Sequence, residues 1–363
     1  MFTPPRCPNT SCPMHAAPDG NFFVRGGFYQ SRVKAQPIPR FRCRKCLRRF
    51  SRQTFRHDYR DKKPHLNISV IEMLCSGVGY RQTARVVGLT RRNLVNKARK
   101  IQRTVGALDR NLLDRAGAVD AASPRTDPLV VQFDEFETYE MCRNTMPLSV
   151  PTAVESKSRL ILGTIAAPIR PRGTMTPGRL ARVQKHKDAY GAREDLSPDA
   201  CREVLERVAA FRPAAPEVRL DTDCKSTYPG YAKGAFEGMP FTHRQTLGSD
   251  PRGRHSPLAA INLTEAMMRD LTGRVRRESW LVSKRCCYLN LHLGLYSAWR
   301  NWVQPRFNKD KQCPGEIAGF AQRRMARGEL VGWRQSWGQL SPSPYGDGQT
   351  SVGDEWAGEL AAA

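Results

Sequence analysis

Leu129-Val-Val-Gln-Phe-Asp-Glu-Phe136 is a run of β-favouring apolar residues that closes on acids, and its reading decides the fold of most of the chain. A second run of the same kind, Val218-Arg-Leu-Asp-Thr-Asp223, repeats the pattern. Between them, residues 152–165 supply one or two further strands, and residues 198–211 read as a helix with Cys201, Val204, Leu205 and Val208 on its apolar side. Strands and helices mix along the chain, which predicts an α/β or α+β domain with acids at its strand ends. Residues 169–190 are basic and punctuated by Pro and Gly, and read as a loop insertion.

Ser256-Pro257 is a good N-cap and first-turn pair for a later helix. From there Ala260, Leu263, Met267 and Leu271 form an apolar stripe at spacings of three and four. A polar stripe of Asn262, Glu265, Arg269 and Thr272 runs beside it. Alone, such a stripe is more often a solvated face. Together with Asp134 and Asp223, Glu265 completes two acids on strands and one on a helix. Phosphodiester cleavage calls for two divalent ions about 3.5–4 Å apart. Mg²⁺ or Mn²⁺ is suited by three carboxylates converging from separate elements.

Working back to the N-terminus, Cys7-x4-Cys12 is followed, after thirty intervening residues, by Cys43-x2-Cys46. Two short Cys pairs on separate turns can supply the four soft ligands that Zn²⁺ takes in a tetrahedron, with His15 as the alternative to one Cys. The second pair sits in Phe41-Arg-Cys-Arg-Lys-Cys-Leu-Arg-Arg-Phe50, a sequence resembling a zinc-ribbon knuckle. Phe22, Phe23, Val24, Phe28 and Tyr29 offer strands for the ribbon's hairpin. So small a fold lacks the core to hold without metal, which makes the zinc structural.

Residues 66–101 read as three helices. Val70, Ile71 and Leu74 belong to the first; the second starts at Tyr80 and ends at Gly88; Thr90 caps the third. On the third, Leu94, Val95, Ala98 and Ile101 face inward, leaving Arg91, Arg92, Asn93, Asn96 and Lys97 outward. This is the pattern of a helix-turn-helix, whose Arg and Asn side chains can read guanine and adenine edges. An ordinary three-helix bundle with a solvated basic face is the alternative.

Charge points the same way. The 363 residues carry 59 Lys+Arg against 34 Asp+Glu, a formal net charge of +25, which calls for a polyanionic partner. The excess is uneven: residues 1–110 hold 24 basic and 5 acidic side chains, so the front third is the nucleic-acid module. No stretch approaches the ~20 apolar residues of a membrane span, and no signal-peptide run opens the chain. The expected location is cytoplasmic and nucleoid-associated, with no membrane partner. Eleven cysteines, an odd number, suit metal ligands and buried thiols rather than a disulfide framework.

The order of zinc ribbon, helix-turn-helix, strand acid, strand acid, helix acid resembles the small bacterial insertion-sequence transposases with a DDE-type catalytic domain. The phrases that carry the resemblance are the Phe41 to Phe50 stretch, Gln132-Phe-Asp-Glu-Phe136, Asp223-Cys-Lys-Ser-Thr-Tyr228, Asn262-Leu-Thr-Glu-Ala-Met-Met-Arg-Asp270 and Arg276-Arg-Glu-Ser-Trp-Leu-Val-Ser-Lys284. It spans roughly residues 7–302. It implies a ribonuclease-H-like mixed sheet with flanking helices at 126–305, after a zinc ribbon at 1–60 and a helix-turn-helix domain at 61–115. A C-terminal helix and a disordered tail would occupy 306–363. By the resemblance Asp134, Asp223 and Glu265 are the catalytic metal ligands, with Glu135, Glu137, Asp221 and Asp270 as neighbouring alternatives. Tyr228, Asn262, Arg269 and Lys284 face DNA or support the site. The implied partner is double-stranded DNA, as terminal inverted repeats and as target, with the protein homo-oligomeric on the DNA ends. A non-catalytic DNA-binding regulator and a nuclease without strand transfer are the rival readings.

Overall fold

The computed structural model describes residues 2–30, 37–55, 58–59, 61–120, 127–211, 216–247, 249, 253, 256–276 and 279–332. The chain divides into two compact units, Met1–Asn67 with Arg327–Ala363, and Ile68–Ala326. The expected disordered tail falls largely on residues 333–363, outside the described residues.

In the first unit a short helix α1 (Pro13–Ala16) precedes three strands, β1 (Phe23–Tyr29), β2 (Ile38–Cys43) and β3 (Arg49–Ser51). They form one antiparallel sheet in the order β1-β2-β3, with Phe41 opposite Phe50. Packing is almost wholly aromatic: Phe22, Phe41, Phe50 and Phe55 are buried around Cys7, Cys12 and Cys43. The Phe41 and Phe50 rings stack at 5.7 Å, and Phe50 meets Phe55 edge-on at 5.7 Å. Between β2 and β3 the chain folds back within a few residues, with Leu47 in the left-handed region at φ 61°. That turn lets Cys43 N donate to Arg48 O at 3.0 Å and Leu47 N to Cys43 O at 3.1 Å.

The second unit opens with three helices, α2 (Asn67–Leu74), α3 (Tyr80–Val86) and α4 (Arg91–Asp120). Then come β4 (Leu129–Tyr139), β5 (Pro147–Glu155), β6 (Ile161–Thr164), β7 (Ala167–Pro168), α5 (Pro177–Tyr190), α6 (Ser197–Phe211), β8 (Val218–Asp223), α7 (Tyr228–Ala235) and β9 (Phe241–Thr246). Helices α8 (Ala259–Leu271), α9 (Cys286–Trp302) and α10 (Pro314–Ile317) follow; α11 (Arg327–Gly332) falls in the first unit. The sheet has the order β6-β5-β4-β8-β9, with β7 on the far part of β5. Strands β4, β5 and β6 are antiparallel, whereas β8 and β9 run parallel to β4. It is a mixed sheet with flanking helices, so the chain is mixed α/β.

Both faces of the sheet are covered, which explains why β5 is buried along nearly all its length. Phe136, Leu148, Val150 and Val154 pack with Ile261 and Met268 of α8 and with Leu289, Leu293 and Tyr296 of α9. The even-numbered residues of β4 therefore look toward α8 and α9. Gln132 ties the two layers together: its amide donates to Pro257 O at 2.5 Å and accepts from Ile261 N at 2.9 Å. The odd-numbered residues look toward α6, where Val204 lies against Gly163.

Two stretches differ from their sequence reading. The basic segment expected as a loop contains α5, capped by Thr176, whose Oγ1 accepts from Arg179 N at 3.4 Å. None of its residues is buried, so it carries no apolar period for a sequence reading to detect. Helix α4 runs 30 residues and continues to Asp120, past the end expected for the helix-turn-helix domain at residue 115. It lies along α9, crossing where Gly106 and Gly294 put their backbones side by side. Farther on, Asp109 accepts from Asn301 Nδ2 at 3.1 Å and from Trp302 Nε1 at 2.7 Å.

Candidate active site and metal centre

The four cysteines meet as the spacing requires. Cys7, Cys12, Cys43 and Cys46 place their sulfurs within 4.8 Å of one another. Cys7 Sγ lies 3.5 Å from Cys46 Sγ, and Cys12 Sγ 3.9 Å from Cys43 Sγ. Four thiolates at ~2.3 Å around one tetrahedral ion would stand about 3.8 Å apart. The cluster can therefore hold a structural metal such as zinc. Burial pushes the Cys7 and Cys12 thiols up. In Cys46 burial pushes the same way, but hydrogen bonds from the Arg48 backbone and the neighbouring cysteines bring the thiol down to about 7. His15, the alternative ligand, is used otherwise: its Nδ1 lies 2.7 Å from Cys7 O, in the position of a donor.

The strand-end acids sit in the second unit. Strands β4 and β8 pair in parallel up to Gln132 opposite Asp221. Carried two residues on, the same offset sets Asp134 beside Asp223, on the side of the sheet that faces α8. Asp134 Oδ1 accepts from Glu135 N at 2.7 Å, and Asp223 Oδ1 from Lys225 N at 3.0 Å. Burial, then the charges of Asp223 and Glu135, raise the Asp134 carboxyl to about 6 against the pull of Arg269.

Helix α8 is turned differently from its sequence pattern. Its buried residues are Ala260, Ile261, Thr264, Glu265 and Met268, while Leu263 is 41% exposed. Glu265 thus belongs to the buried face, which packs on β4 and β5. Arg269 Nη2 stands 3.8 Å from Glu265 Oε2, and its guanidinium lies 4.8 Å from the Phe136 ring centre. Arg269 is therefore felt by both Asp134 and Glu265. The three acids are not as closely gathered as the sulfurs. Among the described residues the cysteines are the group of three or more such ligands brought within 4.8 Å.

Each neighbouring carboxylate is engaged by a cation. Glu135 points to the other side of the sheet, where it pairs with Lys225 and accepts from Ser149 Oγ at 2.5 Å and from Tyr228 OH at 3.1 Å. Burial opposes its ionisation, but the Lys225 and Ser149 hydrogen bonds prevail and hold it below the usual range. Glu137 pairs with Arg172, and Asp221 stands 3.3 Å from Arg244 and 3.5 Å from Arg219. Asp270, largely exposed, stands 3.7 Å from Arg276. The buried Tyr228, expected toward DNA or in support, is spent on Glu135. Lys225 and Ser149 carried no sequence signal, because their partner lies on another strand or loop.

The residues expected on the outward face of the third helix divide. Arg91, Arg92, Asn93 and Asn96 are exposed on the first turns of α4, after Thr90 Oγ1 accepts from Asn93 N at 3.3 Å. Lys97 is not outward: it is buried, 7% exposed. Helix α4 packs against both α3 and α9, so its buried arc is wider than the stripe of Leu94, Ala98 and Ile101. Lys284 is exposed on the connection from α8 to α9, and Trp280 beside it is 99% exposed. Leu281 anchors that connection so tightly against Gly79 that a Cβ there would collide with it. His243 Nε2 lies 2.9 Å from Thr222 Oγ1, and burial lowers its pKa.

Fold and site together define a mixed α/β protein with an N-terminal four-cysteine cluster and a half-buried carboxylate pair at parallel strand ends. No protein-family model and no curated protein matches the chain. No helix among the described residues is long and apolar enough to cross a membrane.

Proposed function

We propose that the chain is a DNA transposase of the DDE type, with a ribonuclease-H-like catalytic domain. It binds the ends of its element as double-stranded DNA, cleaves a phosphodiester and directs the freed 3′-hydroxyl at target DNA, acting as a homo-oligomer in the nucleoid. The observation that carries the reading is the pair Asp134 and Asp223. Of the acids on β4 and β8, these two are left out of the ion pairs that engage Glu135, Glu137 and Asp221. Burial first, and then the like charge of Asp223 on the adjacent strand end, raise the Asp134 carboxyl. A divalent cation relieves such a pair, so the residues fit Mg²⁺ or Mn²⁺.

Asp134, Asp223 and Glu265 would hold the ions. Bound there, the metals supply an activated oxygen nucleophile and stabilise the leaving oxygen. Arg269, in contact with Glu265 and felt by Asp134, is placed to meet a phosphate drawn to the acids. Arg91, Arg92, Asn93 and Asn96 offer an exposed basic and amide turn to the major groove. Lys284 and Trp280 add a charge and an aromatic surface of the kind nucleic acid binds.

The test is a nicking and joining assay on duplexes bearing the sequences that flank the gene, in Mg²⁺ and in Mn²⁺. Wild type nicks and joins; Asp134→Asn, Asp223→Asn and Glu265→Gln each abolish both and keep DNA binding. Binding without nicking in either metal establishes the regulator. Nicking without joined products establishes the simple nuclease. Activity in Glu265→Gln that is lost in Asp270→Asn moves the third position to Asp270.

A further inference from the structure

On the side of α8 turned away from the sheet, Met267, Asp270, Arg300, Arg306, Phe307 and Lys309 line a groove of about 880 Å³. Positions 266, 267 and 270 lie roughly 100–200° around the helix from Glu265 at ~100° per residue. Groove and acids therefore use opposite sides of one helix.

The groove holds more cations than acids: Asp270 and Asp310 line it against Arg300, Arg306 and Lys309, with Arg159 behind Phe307 and Met267. Arg159, held at φ 63° in the turn from β5 to β6, is 4% exposed. Its guanidinium lies 4.8 Å from the Phe307 ring centre, its Nη2 2.9 Å from Met267 Sδ and its Nε 3.4 Å from Thr264 Oγ1. Its Nη1 is buried with no hydrogen-bond partner. Arg300, 2% exposed, donates to Pro305 O at 2.6 Å and to Arg306 O. Arg306 lies 5.2 Å from the same Phe307 ring and pairs with Asp310 at 2.8 Å. Among the described residues Asp310 is the carboxylate that ion-pairs with this set of three guanidinium groups. The hydroxyl of Tyr296, on the same stretch of α9, is also buried and unpartnered. Burial, then the charge of Arg300, lowers Arg159 to about 10.

A guanidinium removed from water without an anion is costly, and its fork of donors matches a phosphate. We infer that this groove binds a phosphate group, with Arg306 and Lys309 receiving it at the surface and Arg159 and Arg300 supplying the charge beneath. The phosphate belongs either to a nucleic-acid backbone or to a free phosphate compound. The inference does not depend on the carboxylate chemistry.

Full-length protein is melted in rising inorganic phosphate and, separately, in chloride at matched ionic strength, with and without a short DNA duplex. Wild type gains Tm in phosphate beyond chloride. Lys309→Met, at the surface of the groove, weakens the phosphate response roughly tenfold, and Arg159→Met removes it. Where nucleic acid is the source, the duplex suppresses the phosphate response and Lys309→Met binds duplex more weakly. A phosphate response insensitive to duplex assigns the site to a free phosphate compound. Equal melting in phosphate and chloride, or an unchanged phosphate response in Lys309→Met, overturns the inference. Should Arg159→Met fail to fold, Lys309→Met decides alone. A failed cleavage assay leaves these outcomes untouched.

Discussion

The cysteine cluster and the strand-end acids are both sets of metal-seeking side chains, yet they are built in opposite ways. The sulfurs are brought together by two short turns and a shell of phenylalanines, and they already stand at the spacing one ion imposes. The acids come from two strands and a helix, ride on a large core and stay apart. A small unit with little core makes the ion part of its fold. A large unit folds on its apolar layers and can keep its acids in an uncomfortable arrangement.

The largest expected effect lies in the first unit. Structural zinc in such sites is worth roughly 10–16 kcal/mol at neutral pH, more than the packing of one small sheet supplies. The full chain should carry one metal in the cluster by mass spectrometry under native conditions. Chelator, or Cys12→Ala, should abolish protection of the β1, β2 and β3 amides from hydrogen exchange. His15→Ala should keep the metal. Metal content unchanged in Cys12→Ala would move that ligand position to His15, and absence of metal from the wild type would break the comparison by making the cluster an ordinary set of buried thiols.

The second effect contrasts the two faces of β4. Glu135→Gln strands Lys225 and costs on the order of 3 kcal/mol, the low end for a buried pair because Lys225 is about one-third exposed. Asp134→Asn removes a charge that its surroundings resist and should raise Tm in metal-free protein. Its nicking should fall below detection, whereas Glu135→Gln should lose stability first. Thermal melts of both variants check the signs. A drop in Tm for Asp134→Asn would make Asp134 a structural acid.

How much of this was legible depends on where each partner lies. The cysteine spacing was readable because each half of the ligand set is local. So were β4 and β8, whose apolar runs end in the acids. The rotation of α8 was not: Thr264 and Glu265 face the sheet while Leu263 faces out, so a ranking by hydrophobicity turns the helix the wrong way. Nor was the engagement of Glu135, since Lys225 is 90 residues away along the chain. Lys97 misled for a third reason, the second helix packed on α4.

A pH profile sharpens the same contrast. An acid raised in the folded state binds its proton more tightly there than in the unfolded chain. Its contribution is present below the unfolded pKa near 3.8 and is lost as pH rises toward about 6. For Asp134, a shift of about two pH units corresponds to roughly 3 kcal/mol at most. Asp109, raised to about 6 by burial, adds a slope of the same sign. Metal-free protein should thus lose stability between pH 4 and 6. Asp134→Asn and Asp109→Asn each remove part of that loss, the raised Asp114 and Asp221 carboxyls keeping the rest, while Mg²⁺ restores stability in wild type and not in Asp134→Asn. Equal rescue of both proteins by Mg²⁺ would place the ion elsewhere.

The smallest effect separates reading from packing inside α4. Arg92 and Asn96 are exposed on the helix's first turns, whereas Lys97, one residue further, is buried against the rest of the unit. An exposed side chain contributes little to stability but can contribute ~1–3 kcal/mol of discrimination at a base edge. Arg92→Ala and Asn96→Ala should leave Tm within a degree of wild type and weaken specific duplex about tenfold, with random duplex less affected. Lys97→Ala should do the reverse, lowering Tm and weakening both duplexes alike, because it removes the aliphatic stem that α4 packs inward. Equal losses on specific and random DNA in Arg92→Ala would assign the turn to phosphate contact rather than base reading. Loss of specific binding in Lys97→Ala at unchanged Tm would instead mean that the helix turns its Lys97 face to DNA, and that α4 shifts against α9 when DNA binds.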